Sequence, residues 1–250
     1  MSSLVYGIHA VESLIKTDSA SKVIILNKGL NNPQIKSILD LASEKGIKPE
    51  VIDHIKQLPE RLPRDVTHQG VFAYSLENNQ KMYDEKDLKS LLPQDKNAFI
   101  LILDSVQDPH NLGACIRTAH SAGVDFLVIP KDNSATVNAT VKKVACGAAE
   151  HLKIVVVTNL SRAIEKLKEQ GVWVIGLAGE ADESLYDMNL QDSIALVAGS
   201  EGKGMRQKTK ANCDFLAKLP MYGEVSSLNV SVASGISMYE VVRQRNFVKE

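Results

Sequence analysis

The sequence predicts an α/β protein, with a parallel sheet covered by helices on both faces over residues 98–250 and a smaller α/β unit ahead of it. Three observations predict it. From Ala98 onward, short runs that are apolar throughout alternate with helical segments, which is how strands buried on both faces read. Before Ser75 the strands and helices are shorter, and a charged, Asn-rich stretch separates the two parts. Three polar motifs each follow the end of an apolar strand, where open parallel sheets bind ligands.

The elements follow in order. Lys22–Leu26 reads as a strand. Asn32-Pro33 opens a helix that carries Ile35, Ile38, Leu39 and Ala42 on one face and stops at Gly46. Residues 49–52 and 70–75 are two more strands. This first domain, residues 1–76, is near the lower size limit for an independent core. Residues 77–97 read as a linker, with Asn78, Asn79 and Gln80 ahead, Pro93 behind and a short helix over Asp84–Leu91; a solvated helix inside one domain is the alternative. In the second domain, residues 98–250, strands are expected at 99–103, 126–129, 154–157, 172–177, 194–198 and 215–219. Helices are expected at 111–123, 136–148, 160–170 and 229–245.

Composition sets bounds. The chain has 250 residues, a net charge of −1 and 44% hydrophobic residues, as in an ordinary globular protein. Neither domain is a basic module, so nucleic-acid binding requires a local positive surface. No apolar run reaches the roughly 18 residues needed to span a bilayer, and no secretory signal opens the chain. Cys115, Cys146 and Cys213 are odd in number and form no CxxC pair, which argues for a reducing, cytoplasmic setting.

The motifs carry the chemistry. Gly199-Ser200-Glu201-Gly202-Lys203-Gly204 lacks both the Walker A and the GxGxxG spacing, yet three glycines in six residues let backbone wrap closely around a ligand. Alone it reads first as a plain strand-to-helix turn; Glu201 shifts the balance, as an acid that could anchor a neighbouring cation or fix the backbone. Asn111 is expected at a helix N-cap, after Asp108-Pro109-His110. Arg117 sits among Cys115, Ile116, Thr118 and Ala119, so a buried partner is expected for it, with Glu201 a candidate. It reads either as a structural ion pair or as a guanidinium facing a phosphate or an oxyanion. Ser227 and Asn229 stand where the last helix opens, and one of them should cap it. The six histidines show no metal spacing, no GxSxG element occurs and no carboxylate pair suggests acid–base work.

Together these residues resemble the SpoU branch of the SPOUT RNA 2′-O-methyltransferases. NxGxxxR stands at Asn111, Gly113 and Arg117, ALVxGxExxG at residues 195–204, and PMxGxxxSLNVSVA from Pro220. Val5-Tyr6-Gly7-Ile8-His9-Ala10-Val11 and the unit after it resemble the L30e-like substrate-binding domain of bacterial 23S rRNA guanosine-2′-O-methyltransferases. The resemblance implies a deep trefoil knot in the C-terminal domain, which general rules of chain topology would not have suggested. It implies S-adenosylmethionine as methyl donor, no metal, ribosomal RNA as partner and a homodimer through the C-terminal domain. It implies catalytic roles for Arg117, Asn111, Glu201, Ser227 and Asn229. Gly199, Leu219 and Leu228 would hold the cofactor, with Leu177 and Gly179 as further contributors. Action on transfer RNA, or an inactive RNA-binding relative, are the alternatives.

Overall fold

The computed structural model describes residues 4–17, 20–58, 62, 66–75, 82–202 and 204–247. Asn78–Gln80 of the expected linker and Lys203 of the glycine loop lie outside these residues. The first elements are β1 (Leu4–Tyr6), α1 (Ile8–Lys16), β2 (Ala20–Leu26), α2 (Pro33–Glu44), β3 (Glu50–Ile52) and β4 (Val71–Ser75). Then come β5 (Met82–Asp84), α3 (Leu88–Leu91), β6 (Phe99–Asp104), α4 (Pro109–Ser121), β7 (Phe126–Pro130), α5 (Ala139–Ala145) and α6 (Ala148–His151). The chain closes with β8 (Lys153–Val157), α7 (Leu160–Lys168), β9 (Trp173–Leu177), β10 (Glu183–Ser184), β11 (Ile194–Gly199), α8 (Gln207–Asn212), β12 (Phe215–Lys218) and α9 (Val230–Phe247). They form two compact units, Met1–Lys81 with Val137–Glu150, and Met82–Thr136 with His151–Glu250.

The smaller unit has a four-stranded sheet in the order β1-β4-β2-β3, antiparallel except for the parallel β2–β3 pair. Strand β2 is apolar on both faces because both are covered. Val23 and Ile25 pack with Val11, Leu14, Ile35 and Ile38 of α1 and α2, while Ile24 and Leu26 pack with Phe72, Ile52 and Leu58. Asn32 starts α2 by accepting from Gln34 N at 2.9 Å, with Pro33 in the first turn.

The larger unit is built on an eight-stranded sheet in the order β10-β12-β9-β11-β6-β7-β8-β5, parallel throughout. On one face, Ile100, Ile102, Phe126 and Val128 pack with Leu88 and Leu91 of α3 and with Leu160, Ala163, Ile164 and Leu167 of α7. That spacing in α7 is one helical face turned to the sheet. Helix α9 packs against α4 and β11. The chain builds β6, β7 and β8 outward to one side, then crosses to β9 and returns to lay β11 between β9 and β6. This reversal of strand order is where an open parallel sheet leaves a crevice at its C-terminal edge. No helix of the described residues is long and apolar enough to cross a membrane.

Four local expectations change. Residues 82–84, expected in the linker, pair with β8 as edge strand β5, because Glu85 next to them is gripped by Arg162 (2.5 and 2.6 Å) and by Lys166 (2.8 Å) of α7. The helix expected over 136–148 breaks at Cys146, whose φ of 50° ends α5 before α6 begins. Residues 137–150 group with the smaller unit, where Lys143 Nζ lies 5.5 Å from the centre of the Tyr6 ring. The short elements β10 and α8 carry too little periodicity to be read from sequence.

Candidate active site

Asp108, not Asn111, caps α4. Its carboxylate accepts from His110 N at 2.9 Å, and Pro109 occupies the first turn. The cap therefore falls three residues earlier than expected, and Asn111 lies inside the helix, buried, with its amide available for other work. Asn229 caps α9: its Oδ1 accepts from Ser231 N at 2.9 Å and from Ser231 Oγ at 2.6 Å. Its Nδ2 turns the other way, donating to Asn111 Oδ1 at 3.0 Å and to Glu201 Oε1. Asn111 Nδ2 also donates to Glu201 Oε1, at 3.3 Å. One carboxylate oxygen thus ties together two amides, and residues 111, 201 and 229 meet although 118 positions separate the first from the last. Hydrogen bonds to an ionised acceptor are the strong ones, so this junction fixes the loop after β11 against both helices.

The glycine loop closes on itself through the Ser200–Gly204 bridge, with Gly204 N donating to Ser200 O at 2.8 Å and Ser200 N to Gly204 O at 3.1 Å. A Cβ on Gly199 would stand 2.1 Å from Gly204 C and from Met205 N, so no larger residue fits there. The close approach expected of the glycines is thus to the loop's own backbone. A cavity of about 650 Å³ opens beside this loop. Leu177 at the end of β9 and Gly179 after it, Gly199 at the end of β11 and Glu201 after it, and Leu219, Ser227 and Leu228 after β12 all line it. Residues 220–228 make no backbone–backbone hydrogen bond among the described residues, so their peptide groups are open to a ligand or to solvent. A second cleft of about 640 Å³ adjoins it, lined by Asn111, Asp108, Ser105, Asn133 and Arg206. Ser200, Glu201, Gly204 and Met205 border both spaces.

Arg117 lies elsewhere. It is exposed on α4 and lines neither space, while the Glu201 carboxylate accepts from Asn111 and Asn229. The helix is apolar on its buried side only, and position 117 faces away from it. Sequence reasoning also missed Asp104 and Arg206. The Asp104 carboxylate is wholly buried and accepts from Arg206 N at 2.8 Å and Arg206 Nε at 2.7 Å, which pins the far end of the glycine loop to β6. The available signal was a charged residue closing the otherwise apolar run Phe99-Ile100-Leu101-Ile102-Leu103, at the ligand-binding end of a parallel strand. Among the described residues, no group of three His, Cys, Asp or Glu side chains is placed to hold a metal ion.

Comparison with known proteins bears on the family and the fold. Residues 98–239 match the model of the SpoU rRNA Methylase family, and residues 4–79 match that of RNA 2'-O ribose methyltransferase substrate binding. The 23S rRNA (guanosine-2'-O-)-methyltransferase RlmB of Pseudomonas aeruginosa is 48% identical, over 96% of each chain. Its namesake from Escherichia coli K12 is 44% identical, over 98% of this chain and 100% of the relative. The fold matches the SpoU methyltransferase AviRb from Streptomyces viridochromogenes, solved in complex with the cofactor AdoMet, with a TM-score of 0.77 and 20% identity over 98% of this chain and 90% of that one. With its motifs gathered at the C-terminal edge of one parallel sheet and its sequence matched from end to end, this chain belongs to the SpoU rRNA methylase family.

Proposed function

We propose that this protein transfers a methyl group from S-adenosylmethionine to the ribose 2′-oxygen of a guanosine in 23S rRNA. The observation that carries the reading is the junction of Asn111, Glu201 and Asn229, which brings three distant segments together at the end of the sheet, where Glu201 lines both spaces. Full-length relatives named for this activity, at 44–48% identity, supply the substrate. The residues fit the donor: glycines, alanines and serines line the cavity beside Leu177, Leu219 and Leu228, and among the described residues the peptide groups of residues 220–228 have no backbone partners. Gly199, Leu219, Leu228, Leu177 and Gly179 would hold it there. When bound, the sulfonium supplies an activated methyl carbon open to in-line attack.

The chain's own residues then have three tasks. Backbone after β9, β11 and β12 fixes the donor. The Asn111–Glu201–Asn229 junction, with Ser227 beside it, holds the loops in register and orients the ribose. Arg117 stabilises the developing 2′-alkoxide; a guanidinium stays protonated in proteins and suits electrostatic work better than proton removal. Since Arg117 lines neither space of its own subunit, we assign it to the site of a second copy in a two-fold dimer. Val232, Ile236 and Tyr239 support this, as one exposed apolar face of α9; Met221, Tyr222 and Val225 in the preceding segment are exposed as well.

The return of α9 onto α4 and β11, after β11 is laid between β9 and β6, suits the trefoil knot of the family. The four-stranded sheet with α1 and α2 suits an L30e-like substrate-binding domain over residues 1–76. We keep residues 98–250 as the methyltransferase domain and 77–97 as the connection, whose β5 has joined the large sheet. A ribosomal substrate in bacteria implies a cytoplasmic enzyme. The test is ribose-methylation mapping of 23S rRNA from cells lacking the protein, with purified enzyme and S-adenosylmethionine added back in vitro. Loss and restoration of one 2′-O-methylguanosine is expected; an unchanged map refutes the proposal.

A further inference from the structure

Arg206 is held at one edge and open at the other. Its Nε and backbone N are bound by the buried Asp104 carboxylate, yet the side chain is 46% exposed, and neither terminal nitrogen bonds a described residue. It is the one cation among the described residues lining the second cleft. A terminal guanidinium edge of this kind matches two adjacent acceptors on one partner. Two partners offer such acceptors in RNA: a phosphodiester and the O6/N7 edge of guanine. The carboxylates decide between them. Asp108 and Glu201 line the same cleft and Asp104 lies behind it, so acids outnumber the guanidinium and an anion is repelled. A neutral guanine is not, and its N1–H and N2–H₂ donors suit carboxylate acceptors.

We propose that the second cleft receives the guanine of the acceptor nucleotide, with Arg206, positioned by Asp104, donating to O6 and N7. The proposal rests on the reading that the neighbouring cavity holds the methyl donor. The two spaces share Ser200, Glu201, Gly204 and Met205, so a base in one brings its ribose to the border of the other. Asp104 acts through Arg206 and is a positioning residue.

Because Arg206→Ala would leave a buried carboxylate underpaired and could unfold the loop, the main test changes the RNA. The full-length enzyme is given 23S rRNA fragments with guanosine, inosine or 7-deazaguanosine at the accepting position, and kcat/KM is measured for each. Inosine keeps O6 and N7, whereas 7-deazaguanosine loses N7. We expect 7-deazaguanosine to fall below both others, by about 10- to 100-fold. Arg206→Lys, which keeps a cation on Asp104, should erase that discrimination while S-adenosylmethionine still binds by calorimetry. Equal rates with guanosine and 7-deazaguanosine in the unmodified enzyme would overturn the base-reading role, as would a uniform loss across all three RNAs in Arg206→Lys. Failure of the unmodified enzyme to bind S-adenosylmethionine overturns the functional reading itself.

Discussion

Glu201 Oε1 receives both amides of the junction, and that shared oxygen makes the site sensitive to one charge. Glu201→Gln preserves shape but weakens two charge-assisted bonds, each worth about 1.5–3 kcal/mol. Methyl transfer should fall by about 10- to 100-fold, with S-adenosylmethionine affinity nearly unchanged in calorimetry, because Glu201 is one of many residues that line the cavity. The junction also shows what a sequence conveys at this scale. The residue types at 111, 201 and 229 pointed to a polar site, and the structure brings them together. Which of them cap helices did not follow from type alone: Asp, Asn and Ser all cap, and only backbone placement selects Asp108 and Asn229 and leaves Asn111 to the junction. Arg117 misled for a related reason, since local apolar composition does not reveal which side of a helix a residue faces.

At the scale of elements, α9 buries polar and small residues, Ser234, Ser237, Glu240 and Gln244, beside Val230, Met238 and Val241; a Cβ on Gly235 would stand 3.6 Å from the Thr118 methyl, in ordinary contact. Ser237 is wholly buried on this helix, and its hydroxyl has no partner among the described residues. Ser237→Ala should raise stability by about 1 kcal/mol in denaturant titration, since an unsatisfied buried hydroxyl costs more than the small void it leaves. The β5–α3 edge depends instead on charge. Arg162 and Lys166 hold the Glu85 carboxyl below its ordinary value of 4.5, the bond to Arg162 counting most. A depressed carboxylate stabilises the fold fully above the unfolded value and loses that contribution as pH falls through the folded one. Thermal melts should therefore show Glu85→Gln about 2–4 °C less stable at pH 7, a gap that closes below pH 4.5. The apolar strands β6 to β9 and β11 were legible because burial on both faces writes itself as continuous Val, Ile and Leu. Strands β5 and β10 were not, because edge strands of two or three residues carry no pattern of their own and form by pairing with a neighbour distant in sequence.

For the whole molecule, exposed Val232, Ile236 and Tyr239 on α9 lead to an expected two-fold association. Light scattering should report a dimer, and Ile236→Asp with Tyr239→Glu should give monomers that bind S-adenosylmethionine but methylate poorly. If Arg117 serves the opposite site, Arg117→Ala mixed with Asn229→Ala should regain activity that neither has alone; no recovery would assign both residues to one subunit. The order of the large sheet has a further consequence, for biosynthesis. A nascent chain lays down β6 long before β11 arrives to pair with it, with β9 made in between, and the segments that enclose the cavity follow β9, β11 and β12. Until then the growing sheet carries two bare, apolar borders exposed to misassociation. A chain not yet made beyond β12 lacks one wall of the cavity, so capture of a ligand there is expected only after that segment has emerged.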